Sequence, residues 1–291
     1  MYKIILDFTD SKDYITHTLI MKTTVSQDQI VQYQKDGFIF VPGFLTSAEV
    51  VELKGAVVET ARAMGKRKVG GKGVDWEEKD DFYDKVFTQR LNLWKLNDTV
   101  KRYMLNPDLG KLMCQLEGIE GIRCWHDQTL IKEPFANGTA WHLDVPYWSF
   151  QSRHAISIWI ALEDATYQNG CMYFIPGTHK LATYENVGIG QNMGDLFRIY
   201  PKMAEIDPVS VPMKAGDCSF HNGLAAHGAG CNMTRGRRIA MTSGYMPEGS
   251  TFDGKRNILP EDYFNSLKVG DVLENDEQNP LLWSSRQLVA V

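Results

Sequence analysis

The sequence predicts a mainly β protein with flanking helices, an α+β chain in which a sandwich or barrel of strands carries a helical layer. Two observations support this prediction. Helical periodicity fills the first third of the chain, and short strand-like runs separated by turn residues follow from residue 120. The 291 residues, of which 43% are hydrophobic and 23% charged, are enough to bury a sizeable core.

Capping signals place the first helices. Ser26 and Gln29 form a capping box, and the helix that they open is expected to end at Gly37. Thr46 and Glu49 form a second capping box ahead of "SAEVVELKGAVVETARAMG", in which apolar residues recur at helical spacing. A third helix is expected over "DTVKRYMLNPDLGKLMCQLEG", with a break near its proline.

Short runs of β-branched and aromatic residues predict the strands. "FIFVPGF" at 38–44 lies between the first two helices, and the later runs are "GIRCWHDQTLIKEP", "TAWHLDVPYWSF", "AISIWIALED", "GCMYFIPGTHK", "DPVSVPMKAGDCSFHNG" and "RRIAMTSGYM". The charged, glycine-rich stretch 66–81 predicts an exposed loop. Residues 180–207 lack regular periodicity and are expected to form a lid over one end of the barrel.

These elements divide the chain into a loose N-terminal extension, residues 1–25, and a single domain, residues 26–291. Within the domain we expect a helical layer over 26–119, a β core over 120–248 and a C-terminal tail over 249–291. Acidic residues in "MYKIILDFTDSKDYITHTLI" interrupt the apolar run that a signal peptide needs.

Charge and cysteine content narrow the classes of partner. A net charge of −5 gives no general reason to expect nucleic acid, and no apolar run reaches the ~20 residues of a membrane span. The five cysteines share no CxxC spacing, which argues against a disulfide framework or a structural zinc site and favours a reducing cytoplasm. We therefore expect a small-molecule partner, and the sequence carries no signal for an oligomeric state.

The stretch "TAWHLDVPYW" at 139–148 sets a histidine and an aspartate two residues apart among apolar residues. Alternate residues of a strand share a face, so His142 and Asp144 are expected side by side, with Leu143 on the other face. Two imidazoles and one carboxylate form the facial triad that binds Fe(II) and leaves positions open. His227, which small residues surround, is the preferred third ligand, and His221 is its rival.

A site of this kind that uses 2-oxoglutarate also needs a cation for the distal carboxylate of that co-substrate. Arg238 lies eleven residues after His227, at the start of an apolar run, and an arginine can bind a carboxylate bidentately. Other interpretations stay open at this point. A single HxD pair is more often structural than metal-binding, and Arg235, Arg237 and Arg238 could form a solvated cluster.

The run "TLIKEP…WHLDVPYWSF…ISIWIALEDATYQNGCMYFIPGTHK…GDCSFHNGLAAHGAGCN…RGRR" resembles the phytanoyl-CoA dioxygenase family of Fe(II)/2-oxoglutarate oxygenases. "QKDGFIFVPGFLTSAEV" resembles the N-terminal segment of the same family, so the resemblance extends over about residues 26–248. It implies a double-stranded β-helix, the cupin-like jelly roll, with flanking helices.

By position, the resemblance implies that His142, Asp144 and His227 hold iron and that Arg238 pairs with 2-oxoglutarate. Four more side chains would contact 2-oxoglutarate by the same carry-over: Thr129, Trp159, Gln89 and Asn92. Trp159 packed in the core and Thr129 as an ordinary strand residue are equally good interpretations of those two positions.

The cofactors that the resemblance implies are Fe(II), 2-oxoglutarate as co-substrate and O₂, with ascorbate as a supporting reductant. Related halogenases carry a small residue in place of the carboxylate ligand. Asp144 therefore favours hydroxylation, or another oxidation such as desaturation or ring formation. Two rival functions remain: a cupin-type metal hydrolase or isomerase, and a non-catalytic binding barrel.

The substrate side of the site is less determined by the sequence. Tyr147, Trp148 and Phe150 follow the HxD pair and are candidates for an apolar or aromatic substrate wall, although core packing explains them equally well. The block "NGCMYFIPGTHK" is expected to be scaffold, because it reads as a strand between two turns. The expected substrate is a small metabolite, of natural-product or acyl type.

Overall fold

The computed structural model describes residues 19–288 except 78, 80 and 81, so the predicted extension lies outside the described residues up to residue 18. Its α-helices are α1 (Gln27–Asp36), α2 (Ser47–Met64), α3 (Asp98–Met104), α4 (Pro107–Glu117), α5 (Leu196–Ile199) and α6 (Glu261–Ser266). Its strands are β1 (Phe38–Val41), β2 (Thr88–Leu91), β3 (Gly121–Lys132), β4 (Thr139–His142), β5 (Ile156–Ala161), β6 (Met172–Phe174), β7 (Val209–Val211), β8 (Cys218–Asn222), β9 (His227–Ala229), β10 (Arg238–Pro247) and β11 (Leu281–Ser284).

Both predicted capping boxes are present and set the starts of α1 and α2. The Ser26 hydroxyl accepts a hydrogen bond from the Gln29 backbone N–H (3.2 Å), and the Gln29 side chain accepts one from the Ser26 N–H (2.9 Å). Thr46 and Glu49 repeat this arrangement at α2. Gly37 ends α1 at a φ of 81°, a left-handed conformation that suits glycine.

The third predicted helix is a pair, α3 and α4, that meets at the predicted break. Asn97 caps α3, Asn106 caps α4, and Pro107 occupies the first turn of α4, where a missing N–H costs nothing. The apolar faces of α2, α3 and α4 pack on the main sheet, and Leu53 and Leu112 there are fully buried. None of the helices in the described part of the chain is long and apolar enough to cross a membrane.

Two antiparallel sheets form the β core. In the described chain the main sheet has seven strands in the order β1-β8-β5-β10-β3-β11, and β2 pairs with β3 beside them. The minor sheet has four strands in the order β4-β9-β6-β7. The pairing of β3 with β10 runs from Lys132 opposite Arg238 to Ile122 opposite Pro247.

The two sheets enclose a cavity of about 430 Å³. Side chains from both sheets line it, among them Leu130 of the main sheet and Met172 of the minor sheet. From β3 to β10 the chain crosses from one sheet to the other at every step except β6 to β7. Two facing antiparallel sheets connected in this way form the double-stranded β-helix, or jelly roll, that was expected from the sequence.

The main sheet draws strands from all parts of the domain. β1 is the strand predicted at 38–44, β2 comes from the layer expected to be helical, and β11 comes from the expected tail and pairs with β3 through Leu281 opposite Arg123. Residues 19–25 also lie against the domain. Met21 is buried there, and the Lys22 N–H donates to the Phe44 carbonyl (2.9 Å).

Two irregular segments border the cavity. Within the predicted exposed loop at 66–81, residues 66–77 are only partly exposed, because Val69 and Val74 are buried in a second hydrophobic core. Residues 180–207 were expected to form a lid. In the structure Ile189 lines the cavity, while Leu196 and Met203 are fully buried in the same second core. Both segments therefore have buried apolar contacts that hold them at the cavity mouth.

Candidate active site

Pairing of β4 with β9 brings two histidines together. His142 lies opposite His227 in this antiparallel pair, and their ring centroids are 4.1 Å apart. β4 ends at His142, so Asp144 does not lie in the strand as predicted. It starts a short turn, where its backbone N–H donates to the Gly223 carbonyl (2.9 Å). Leu143 points away into the second core, as alternation predicted.

The three predicted metal ligands converge. One ligand atom from each of His142, Asp144 and His227 lies within 4.8 Å of the other two. The Oδ1 atom of Asp144 is 3.8 Å from Nε2 of His142 and 3.7 Å from Nε2 of His227. Two nitrogens and one oxygen on one side of a cavity are the ligand set of a facial iron triad.

Backbone carbonyls orient both imidazoles. Nδ1 of His142 lies 2.8 Å from the Ala140 carbonyl oxygen, and Nδ1 of His227 lies 3.0 Å from that of Ala225. Each Nδ1 therefore carries the proton, and each Nε2 presents a lone pair toward Asp144. Such second hydrogen bonds fix the tautomer of metal-binding histidines.

The two oxygens of Asp144 have different surroundings. Oδ2 accepts a hydrogen bond from the Ser157 hydroxyl (2.7 Å) and lies 3.2 Å from Nε2 of His221. Oδ1 faces the two triad histidines. This arrangement leaves one oxygen for a metal and gives His221, the rival of His227, a supporting position beside the carboxylate.

The ionisation states also suit a divalent cation. Burial lowers the pKa of His142 and of His227 to about 4, so both imidazoles are neutral at neutral pH. Burial alone would raise the pKa of Asp144, but His227, His221 and His142 outweigh it and hold that pKa below its usual range. Two neutral imidazoles and a carboxylate can bind a metal without first losing a proton.

Arg238 is a buried cation at the other end of the cavity. It starts β10, is 1% exposed, and its guanidinium carbon lies 5.2 Å from the ring centre of Trp159. Its Nε and Nη1 have no hydrogen-bond partner among the described residues. Burial lowers the pKa of Arg238 to about 10, so it stays charged at neutral pH. Because buried guanidinium N–H groups without an acceptor are costly, this end of the cavity fits a bound carboxylate.

Of the four other residues predicted to contact 2-oxoglutarate, two line the cavity and two do not. Trp159 and Gln89 line the cavity, and the Gln89 amide donates to the side chain of Gln128. Thr129 and Asn92 are buried but are not among the described residues that line it. The Thr129 hydroxyl donates to the Ala240 carbonyl (2.9 Å), and strand alternation points Gln128 and Leu130 inward instead.

Two of the three residues predicted to form a substrate wall line the cavity. Tyr147 and Trp148 line the cavity, and the Tyr147 hydroxyl donates to the Val187 carbonyl (2.5 Å). Phe150 is fully buried in the second core, where its ring meets Trp125 edge to face at 5.3 Å between centroids. Phe150 is therefore a core residue that lies outside the cavity lining.

Three residues that line the cavity were given no functional role from the sequence. Ser157 shares a strand face with Trp159, and this spacing was the signal for it. His126 and Gln128 lie two residues apart on β3, on the face of Leu130. Nothing in the sequence marks that face as the inner one, because almost every position of β3 is buried.

The block "NGCMYFIPGTHK" supports the ligand strand. β6 pairs with β9, setting Phe174 opposite His227, and the two rings stack with centroids 6.0 Å apart. The buried Thr178 hydroxyl accepts a hydrogen bond from the Ala226 N–H (2.9 Å) and donates to the Ile175 carbonyl (2.7 Å). The block thus fixes the chain just before His227, as expected of scaffold.

Comparison with known proteins decides the family. The family model for phytanoyl-CoA dioxygenase (PhyH) matches residues 33–240. The chain belongs to this family. It is therefore an oxygenase of the class that uses iron and 2-oxoglutarate, with the jelly-roll fold of that class.

Curated relatives match most of the chain. Methylphosphonate hydroxylase of Gimesia maris is 26% identical over 239 residues, which cover 79% of this chain and 84% of that enzyme. The peroxisomal phytanoyl-CoA dioxygenase of Mus musculus is 24% identical over 221 residues, which cover 72% of this chain and 65% of that enzyme.

Solved structures of two enzymes have the same fold as this chain. The non-heme alpha ketoglutarate dependent carbocyclase SnoK from nogalamycin biosynthesis superposes with a TM-score of 0.73 at 25% identity, covering 91% of this chain and 99% of SnoK. The epimerase SnoN, solved with Fe3+, alpha ketoglutarate and nogalamycin RO, gives a TM-score of 0.65 at 26% identity, covering 88% of this chain and 97% of SnoN.

Proposed function

We propose that this chain hydroxylates a C–H bond of a small metabolite while it converts 2-oxoglutarate and O₂ to succinate and CO₂. One observation carries the proposal. Two imidazole nitrogens and one carboxylate oxygen converge on the wall of a cavity that also holds a buried arginine without a carboxylate partner among the described residues.

The described residues fit the cofactors of the class. His142, Asp144 and His227 would hold the iron, because their free nitrogen and oxygen atoms face one another and are already in the metal-binding protonation state. Arg238 would pair with a carboxylate of 2-oxoglutarate, with Trp159 and Gln89 on the same cavity wall. When bound, iron and 2-oxoglutarate supply the oxidising chemistry, which the protein side chains lack.

The other residues of the site hold the candidate metal ligands in position and protect the cavity from water. Ser157 and His221 hold Asp144 Oδ2, which keeps Oδ1 aimed at the histidines. Residues 66–77 and the segment around Ile189 cover part of the cavity mouth, and covering a site in this way limits the entry of water.

Asp144 favours hydroxylation over halogenation, since the carboxylate occupies the position that a halide ligand would need. The likeness to a carbocyclase and an epimerase makes ring formation or epimerisation the second candidate outcome. Both outcomes use the same iron site, so the product of the reaction distinguishes them.

The test is a screen for succinate release from 2-oxoglutarate over a library of metabolites, with Fe(II) or Zn(II) supplied separately. We expect turnover with Fe(II), acceleration by the true substrate and no turnover with Zn(II). A metal hydrolase or isomerase would transform its substrate with Zn(II) and without 2-oxoglutarate. A protein that binds no Fe(II) anaerobically would be a non-catalytic barrel.

A further inference from the structure

The two ends of the cavity are well separated. Along the β3–β10 pair, Arg238 lies opposite Lys132 and Gly244 lies opposite His126, six residues further along both strands. At ~3.4 Å per residue, that is a separation of roughly 20 Å. The half of the cavity near His126 is therefore distinct from the half that would hold the carboxylate of 2-oxoglutarate.

The described lining residues of the cavity include few charged side chains. Apart from Arg238 and the triad, the one charged side chain among the described lining residues is Lys68, which forms an ion pair with Asp84. The ammonium and the carboxylate are both largely buried, so the charge of Lys68 is matched within the protein. A substrate anion or cation here would lose its hydration and gain no free counter-ion from these residues.

Aromatic and apolar groups make up much of the remaining surface. They come from several parts of the chain: Trp76, Phe87, Leu91, Trp148, Ile189 and Ile258. Trp76 is 40% exposed and so lies where the cavity opens to solvent. Rings of this kind stack on flat, uncharged molecules.

Among the described lining residues outside the candidate iron and 2-oxoglutarate sites and their support, His126 and Asn257 each have a buried polar side-chain atom without a hydrogen-bond partner, and His126 is the one on the main sheet. His126 lines the cavity and is 6% exposed, and its buried Nδ1 has no hydrogen-bond partner among the described residues. The ring packs edge to face on Trp148 with centroids 6.0 Å apart, which fixes its orientation. Burial lowers the pKa of His126 to about 4, so the imidazole is neutral and offers one donor and one acceptor.

We propose, on the basis of the proposed function, that the substrate is an uncharged metabolite with a ring-containing apolar body, and that His126 hydrogen-bonds a hydroxyl or carbonyl group on it. A buried, unpaired imidazole nitrogen is costly until a ligand satisfies it. The same site discriminates against phosphonates, which separates this chain from relatives named for methylphosphonate and 2-aminoethylphosphonate.

Matched probes test the charge preference. Isothermal titration calorimetry of the metal-free protein, saturated with 2-oxoglutarate so that Arg238 is occupied, compares 2-naphthol with 2-naphthyl phosphate, which share a ring body and differ in charge. We expect 2-naphthol to bind at least tenfold more tightly. Equal or tighter binding of the phosphate, or no measurable binding of 2-naphthol, would overturn the proposed substrate class.

Variants test the role of His126. His126→Phe keeps a flat ring but removes the hydrogen bond, so it should lower the ratio of 2-naphthol to naphthalene affinity by about fivefold, whereas His126→Gln should keep most of the ratio. Thr242→Val is the control, because the Thr242 hydroxyl lines the cavity but already donates to the Ile158 carbonyl (2.6 Å). An unchanged ratio in His126→Phe would overturn the assignment.

The calorimetry needs no metal, so its outcome is independent of the proposed iron chemistry. The absorption band of the anaerobic Fe(II)·2-oxoglutarate complex scores that chemistry separately. Its absence from the wild-type protein would overturn the proposed function, whatever the naphthol result.

Discussion

At the scale of single residues, the site depends on how Asp144 is held. Its two oxygens face different neighbours: Ser157 and His221 at Oδ2, and the triad histidines at Oδ1. A carboxylate restrained in this way presents one oxygen in a fixed direction, which is what a facial metal site needs. The chemistry proposed here therefore depends on residues that would never touch the metal.

Ser157→Ala tests this support. The loss of the hydroxyl frees Oδ2, so we expect Fe(II) affinity to fall by about tenfold or more, as is usual for hydrogen bonds to metal ligands. Anaerobic Fe(II) titration measures the change. Ser149→Ala is the matched control, since the buried Ser149 hydroxyl donates to the Arg256 carbonyl (3.0 Å). Equal effects of the two substitutions would contradict the account.

A second test compares substitutions of Arg238 and Thr129, two residues that were both predicted to contact 2-oxoglutarate. Arg238→Met removes the buried cation, so the KM for 2-oxoglutarate should rise by roughly thirtyfold or more, the equivalent of about 2 kcal/mol. Thr129→Val should leave that KM within about twofold, because the Thr129 hydroxyl bonds the Ala240 carbonyl and lies off the cavity. Steady-state kinetics against 2-oxoglutarate separates the two. A large rise in KM for Thr129→Val would restore its predicted role.

At the scale of elements, the sequence predicts where most helices and strands begin and end. It predicts poorly which face of a buried strand points into the cavity. The capping boxes at Ser26 and Thr46 set helix starts by local hydrogen bonds that need no tertiary context. On β3 the family resemblance pointed to Thr129, whereas Gln128 and Leu130 on either side of it line the cavity. Helices cover the outer face of this strand and the cavity lies at the inner one, so no polar alternation distinguishes the two.

Lys132 ends β3 and links it to the connection before the ligand strand β4. The fully buried amine donates to the Asn137 carbonyl (2.6 Å), and burial together with the charge of Arg238 lowers the pKa of Lys132 to about 7. Between about pH 7 and the ordinary lysine pKa of about 10.4, the folded amine is neutral while the unfolded one is protonated. Unfolding then takes up a proton, so the contribution of Lys132 to stability rises with pH in this window.

Lys132→Met removes the titrating amine and keeps a side chain of similar length. We expect the free energy of unfolding of the wild type, minus that of the variant, to increase steadily from pH 7 to pH 10. Urea unfolding of both proteins at several pH values measures this difference. A difference that stays constant over the window would show that the folded amine keeps its proton.

At the scale of the whole molecule, the fold brings together residues that lie far apart in sequence. His142 and His227 meet because β4 pairs with β9 in the minor sheet. The C-terminal tail contributes β11 to the other sheet, the main one. The convergence of His142, Asp144 and His227 could be expected from the sequence, because the HxD spacing and the family resemblance point to the same three residues. The cavity mouth could not, because Trp76, Ile189 and Ile258 come from irregular segments whose contacts follow no periodicity.

Binding of the cofactors should stabilise the whole domain. A ligand at 100 times its Kd adds about 2.7 kcal/mol to the free energy of unfolding, which for a protein of this size raises Tm by roughly 5 to 10 °C. Anaerobic thermal unfolding with Fe(II) and 2-oxoglutarate, against the metal-free protein, measures the shift. Asp144→Ala should show little of it. A full shift in that variant would mean that the metal binds elsewhere.

The most direct test asks which histidine completes the site. The anaerobic Fe(II)·2-oxoglutarate absorption band is recorded for the wild type, His227→Ala and His221→Gln. We predict a band in the wild type, its loss in His227→Ala and its retention, at weaker Fe(II) affinity, in His221→Gln, because His221 only supports Asp144. A band that survives in His227→Ala, or that disappears in His221→Gln alone, would contradict the assigned triad.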